Sequence, residues 1–282
     1  MPAARPAAAW REPSAIPGFA PTFGFALFYI ALVVLIPLIA LVLRPWSRGL
    51  EGFLAVLASP RVEAALALSF GASAIASLLN AVFGLLVAWT ITRYRFPFRR
   101  AIDALIDLPF ALPTAVAGIA LSALYAKNGW LGMPLDALGV KVSYTPLGIL
   151  VALVFVGLPF VVRTLQPVIA DMPLEPEEVA ATLGATRAQT LLRVVLPTLA
   201  PALLTGTTLA FARAVGEYGS VIFIAGNLPM VSEIAPLLIV IKLEEYDYVG
   251  ASAIGLIMLG TSFLILLGLN IAQRRLALRG EG

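Results

Sequence analysis

The chain has 282 residues, of which 60% are hydrophobic and 12% charged, with a mean hydropathy of +0.97; a soluble domain carries roughly twice that charge, so the composition specifies an integral membrane protein. Nineteen Lys and Arg against sixteen Asp and Glu leave a formal charge of +3, set in small groups between apolar runs rather than in the basic patch of a nucleic-acid binder. The lack of Cys and His removes disulfides, thiol nucleophiles, zinc or haem sites built on those residues, and imidazole acid/base chemistry.

A bilayer core needs about 20 apolar residues per helix, because each segment must satisfy its own backbone polar groups. After a cytoplasmic N-terminal segment, 1–21, six segments meet that need: 22–43, 64–92, 104–126, 142–162, 198–226 and 248–273. The first begins too late and runs too long for a signal peptide, so it reads as a retained helix. The third carries Asp107 near its start, and Pro109, Pro113 and Gly118 shape it and permit bending. Asp103 and Asp107, four apart near the inner interface, neutralise Arg99 and Arg100 or a neighbouring helix. The stretch Ile234–Ile241, bounded by Glu233 and Lys242, is too short to span and reads as interfacial or re-entrant.

Six spans put both termini on one side. That side carries Arg5, Arg11, Arg93, Arg95, Arg99, Arg100, Arg163, Arg187, Arg193, Arg274, Arg275 and Arg279, against Arg44, Arg48, Arg61, Lys127, Lys141 and Lys242 on the other. Twelve against six places the termini in the cytoplasm. The prediction is an all-α polytopic protein whose single membrane-spanning domain covers 22–275, with a cytoplasmic tail over 276–282.

The longest cytoplasmic connection, 171–197, reads as two short helices with a bend. Pro176 opens the first, and Glu177 and Glu178 sit in its first turn, where the helix dipole favours acids. Gly184 ends it. Thr186 followed by Gln189 is a capping-box spacing, so a second helix starts there and runs toward Pro197 and the fifth span. Small Ala180 and Ala181 permit close approach of a partner helix, and Glu178 is available to a basic residue on that partner. Periodicity alone is equally consistent with an ordinary amphipathic connector.

Glu178-Val179-Ala180, then Gly184, then Val194-Val195-Leu196-Pro197 resembles the EAA motif of ABC importer permeases, with Val179 and Val194 as mild apolar departures. The resemblance implies the type I (MetI-like) importer fold and makes Glu177, Glu178, Val179, Ala180, Ala181, Gly184, Ala185, Leu196 and Pro197 the contact with a cytoplasmic ABC ATPase dimer. ATP and Mg belong to that partner: this chain has no Gly-x-x-x-x-Gly-Lys loop, and its three lysines lie on the outer side. The runs at 93–118, 128–132, 158–168, 212–227 and 232–254, including ALPTAVAG at 111–118, are similar to the sulfate/thiosulfate permease subunits of that family. This implies a bacterial inner-membrane heterodimer with a related sister permease and a periplasmic sulfate/thiosulfate-binding protein, with molybdate or tungstate as the alternative cargo. Met230 to Tyr248 suits either docking of that outer protein or an interfacial helix held by Tyr246 and Tyr248.

Within the membrane, Arg213 and Glu217 stand four apart and can pair on one helix face. One reading makes Arg213 a positive or gate contact on an anion path, with Glu217 holding it and preventing tight trapping and Thr114 a neutral donor in or near the spans; the other makes the pair a structural fixture. Thr205, Thr207, Thr208 and Ser220 are further neutral donors, which more often bond their own helix. An ion-coupled secondary transporter using Arg213, Glu217 and Asp107 is the reading from another class. An intramembrane enzyme would need a convergent catalytic group that the sequence does not supply.

Overall fold

The computed structural model describes residues 19–280, and every regular element among them is a helix. We number the helices α1 (Pro21–Leu57), α2 (Pro60–Arg93), α3 (Arg99–Ile106), α4 (Leu108–Ala111), α5 (Thr114–Tyr125), α6 (Gly132–Ala137), α7 (Pro146–Asp171), α8 (Glu175–Thr182), α9 (Arg187–Val215), α10 (Gly219–Ile224), α11 (Ala235–Glu244) and α12 (Tyr248–Gly280). Five of these, α1, α2, α7, α9 and α12 as far as Ile271, are long and apolar enough to cross a bilayer. The N-terminal segment to residue 18, with Arg5 and Arg11, and the last two residues of the expected tail lie outside the described residues.

The remaining expected span, 104–126, is not one helix but three pieces. Leu112 is extended (φ −85°, ψ 135°), as the residue before a proline prefers to be, and Pro113 starts α5 afresh. α5 is 12 residues, about 18 Å, too short to cross alone. The fifth span also differs from 198–226: α9 begins at Arg187 and stops at Val215, and Gly216 to Tyr218 separate it from α10. The fourth runs deeper than 142–162, to Asp171, so Arg163 sits inside α7 instead of opening the cytoplasmic loop. Ala235–Glu244, ten residues, forms a short helix with Ala235, Leu237 and Leu238 buried.

α2, α7 and α9 pack along one another at the centre. One apolar cluster joins Ala72, Ala76, Ile149, Leu153, Ala214 and Ile224; a second, toward the cytoplasm, joins Ala88, Ile91, Val161, Leu165, Val195 and Leu199; a third, toward the outside, joins Val62, Ala65, Ala235, Leu238 and Ile254. Small residues set the spacing, as expected where lipid removes any hydrophobic drive between helices. A Cβ on Gly84 would sit 2.8 Å from Val161 Cγ1, and one on Gly157 would sit 2.4 Å from Asn80 Nδ2. α1 differs in kind: none of the residues in its most apolar stretch is buried.

Candidate coupling knob and intramembrane site

Local chemistry builds the knob. α8 starts at Glu175, one residue before the expected Pro176, and carries Glu175, Glu177 and Glu178 in its first turn. Its end is closed by Gly184 N–H donating to Ala181 O and Ala185 N–H donating to Ala180 O, both 3.0 Å. Gly184 takes φ +81°, the left-handed region where a side chain is strained, so the reversal depends on glycine there. Thr186 then caps α9: Gln189 N–H donates to Thr186 Oγ1 (3.3 Å), and Thr186 N–H donates to Gln189 Oε1 (2.8 Å).

The result is two helix ends meeting at a bend that displays Val179 (56% exposed) and Leu183 (82% exposed). A groove of about 420 Å³ runs between them, lined by Ala180, Gly184, Ala185, Gln189 and Arg193. Glu178 and Ala181 are exposed beside it, whereas Leu196 and Pro197 lie farther along α9, with Leu196 partly covered. Glu177 is spoken for within the chain: Arg93, the last residue of α2, donates from Nη2 to Glu177 Oε1 at 3.0 Å while its guanidinium lies over Trp89, 5.1 Å from the ring centre.

Above the knob, Arg163 ties the broken span to the core. Its Nε and Nη2 fork onto Asp107 (2.8 and 2.5 Å), and Nη1 donates to Asp103 Oδ1 (2.6 Å) and to Gln166 Oε1 (2.6 Å). The two aspartates therefore bond to a neighbouring helix, while Arg99 acts on Asp103 through its charge alone. The Gln166 amide first, and then Arg163, hold the Asp103 carboxyl below the ordinary carboxylate range against the burial that opposes them.

Deeper in the bundle, the break after α9 faces the break before α5. A Cβ on Gly219 would fall 2.2 Å from Thr114 Oγ1, and one on Gly118 would fall 2.3 Å from Ser220 O, so these two glycines let the half-helices touch. Arg213 Nη1 meets Glu217 Oε2 at 2.5 Å. The pair does not share one helix face as the spacing predicts, because Glu217 lies past the end of α9. There its Oε1 accepts from Ser220 N–H and Oγ, both 2.9 Å. Glu217 is 3% exposed, whereas the Arg213 side chain is 35% exposed. Arg213, Glu217 and Thr114 are thus brought to one region. Thr205, Thr207 and Thr208 each donate to the carbonyl four residues back, as hydroxyls in apolar helices usually do, and Thr208 Oγ1 also accepts from Gln273 Nε2 of α12 at 3.2 Å.

Two features escape a reading by apolar runs. Ser69, Ser73, Ser77 and Asn80 are all buried on α2, and among the described residues Asn80 finds no hydrogen-bond partner for either amide atom. Their spacing of four, four and three was the available signal. The other is a forked pair between Arg61 and Glu233, 172 residues apart, for which no local pattern exists.

Comparison with known proteins agrees with this geometry. The family of inner membrane components of binding-protein-dependent transport systems matches residues 80–279. The sulfate transport system permease protein CysT of Salmonella typhimurium is 48% identical over 95% of this chain and 96% of its own length, and that of Synechocystis is 45% identical over 88% and 87%. Among solved structures, a bacterial ABC transporter that imports the acidic polysaccharide alginate superposes with a TM-score of 0.75 at 16% identity, over 91% of this chain and 95% of that one. The inward-facing MetNI methionine transporter gives 0.53 at 16% identity, over 75% and 96%.

Proposed function

Because the chain belongs to the family of inner membrane components of binding-protein-dependent transport systems, the permease subunits of ABC importers, we propose that it forms the path for sulfate and thiosulfate through a bacterial inner membrane. The observation that carries the anion is the 48% identity to sulfate permeases along nearly the full length. Family membership sets aside the gradient-driven transporter. In the proposed assembly a CysW-like sister permease completes the path, a periplasmic binding protein delivers the anion, and an ATPase dimer holding ATP and Mg engages the knob.

The knob's surface supports that engagement. Val179 and Leu183 stand proud with Glu178 beside them, a set that fits an apolar seat with a basic rim. Hydrolysis in the ATPase shifts the seat, and the shift reaches the bundle through α9, which is continuous from the capping box into the membrane. For the path, Arg213 supplies positive potential, Glu217 anchors it by pairing and by holding Ser220, and Thr114 offers a neutral contact. One partly exposed cation next to a buried acid attracts a dianion without trapping it, which conduction requires.

The test is ATP-driven uptake of radiolabelled sulfate by the reconstituted complex with thiosulfate, molybdate and tungstate as competitors. Competition by thiosulfate alone supports the reading; competition by molybdate or tungstate at equal concentration reassigns the cargo. Glu178→Lys in an assembled complex is expected to abolish uptake, and undiminished uptake would overturn the seat.

A further inference from the structure

α2 differs from the other central helices in three ways. It contributes to all three apolar clusters. It has no proline inside it, whereas α7 contains Pro159 and Pro167 and α9 contains Pro197 and Pro201, and prolines are where helices bend. An arginine also stands at or beside each of its ends, and each reaches off the helix to a glutamate on a different element. At the cytoplasmic end Arg93 holds Glu177 in the first turn of α8, with Met172 O a second acceptor at 3.4 Å. At the outer end the Arg61 Nε and Nη2 fork onto Glu233 Oε2 and Oε1, both 2.7 Å. Glu233 is 2% exposed and immediately precedes Ile234 and α11, whose Ala235 N–H donates to Ser69 Oγ of α2 at 2.8 Å.

We propose that α2 is a stiff strut that makes the ATPase-facing knob and the outer helix α11 move together, with Arg93 and Arg61 as the positioning residues that join it to each. The 32 helical steps from Arg61 to Arg93 span about 48 Å at the helical rise, enough to carry a displacement from one face of the membrane to the other. A forked pair with one buried partner is a poor way to gain stability, since well-packed apolar residues do as well, but it is a firm mechanical joint because two parallel bonds fix orientation as well as distance. Packing along the whole length of α2 keeps the rod from flexing independently of its neighbours. The strut gives α11 and the outer segment around it a physical route by which events at the binding-protein side reach the nucleotide side. The inference rests on the proposed contact between knob and ATPase.

The outer joint is the place to test it, because Arg61 and Glu233 touch neither the knob nor the intramembrane break. The complex is reconstituted with its ATPase and sister permease, and ATP hydrolysis is measured with and without anion-loaded binding protein, alongside uptake per ATP. Arg61→Glu and Glu233→Arg are each expected to lower the stimulation by binding protein about tenfold, within the range for coupling between distant sites, with unstimulated hydrolysis unchanged. The exchange Arg61→Glu with Glu233→Arg is expected to restore at least half of it, since an acid near the start of α2 also suits the helix dipole. If a single reversal fails to assemble, Arg61→Gln with Glu233→Gln removes the joint without leaving a buried charge, and loss of stimulation in that assembled variant supports the strut. Wild-type stimulation in the single reversals or in the double glutamine variant overturns it. A wild-type complex that shows no ATP-driven uptake at all indicts the permease assignment instead.

Discussion

Replacing Gly118 by alanine sets two effects against each other at one atom. In a helix the change from glycine to alanine is favourable by about 1 kcal/mol, and Gly118 lies inside α5. The added Cβ, however, would stand 2.3 Å from Ser220 O, 2.8 Å from its Cα and 2.9 Å from its carbonyl carbon. All three are backbone atoms, so no side chain can swing aside, and the two half-helices must separate. Overpacking of this kind costs about 1–3 kcal/mol, which meets or exceeds the propensity gain, and separation also opens the region that holds Thr114 and Glu217. Gly71→Ala is the control, because a Cβ there meets nothing within 4 Å and only the propensity gain remains. Fluorescence-monitored thermal unfolding of the purified complex in detergent is expected to rank Gly71→Ala at or above wild type and Gly118→Ala below it, with uptake reduced only in the latter. Equal melting temperatures for the two alanine variants would show that α5 and α10 are not in the contact described.

The capping box gives a smaller and more local expectation: Thr186→Ala removes the acceptor for Gln189 N–H and should destabilise the start of α9 by about 1 kcal/mol, read as faster limited proteolysis of the knob, with Thr186→Ser close to wild type. Asp247 sits between Arg48, Lys242 and Gly250 N–H, which outweigh the opposing effect of burial and hold its carboxyl below the ordinary range. A carboxylate lowered in the folded state stabilises at neutral pH and stops doing so as pH falls through its folded value. The melting-temperature gap between wild type and Asp247→Asn should therefore be widest near neutrality and close below about pH 4; a gap that stays constant into acid would refute it. Arg213→Gln should slow uptake by an assembled complex about tenfold or more while ATP hydrolysis persists, as expected when a charge that favours the anion is lost; unchanged uptake would leave the Arg213–Glu217 contact a purely structural pair.

What could be read in advance follows the range of each interaction. The capping box at Thr186 and Gln189, the reversal at Gly184 and the run of α2 are properties of neighbours in sequence, and all are present in the structure. The interruption at Pro113 was legible in principle, since the residue before a proline avoids the helical region, but counting apolar residues smooths over it and yields one span in place of three pieces. Arg213 and Glu217 were expected on one helix because their spacing is helical; Gly216, with no side chain to hold the turn, lets α9 end between them. The partner of Asp107 is 56 residues away and that of Arg61 is 172 away, and no window along the chain contains both members of either pair. Glu177 shows the same limit from the other side, for it looks free for a partner protein until α2 is folded beneath it.

The exposure of α1 has a consequence for how the chain comes to rest in its membrane. Its mean hydropathy over the most apolar stretch is 3.0, and no residue of that stretch is buried by the rest of the fold. α1 is therefore a helix that the lipid can accommodate largely unaided, so it can wait in the bilayer while α2, α7 and α9, which follow it in the chain and depend on one another, are still being made.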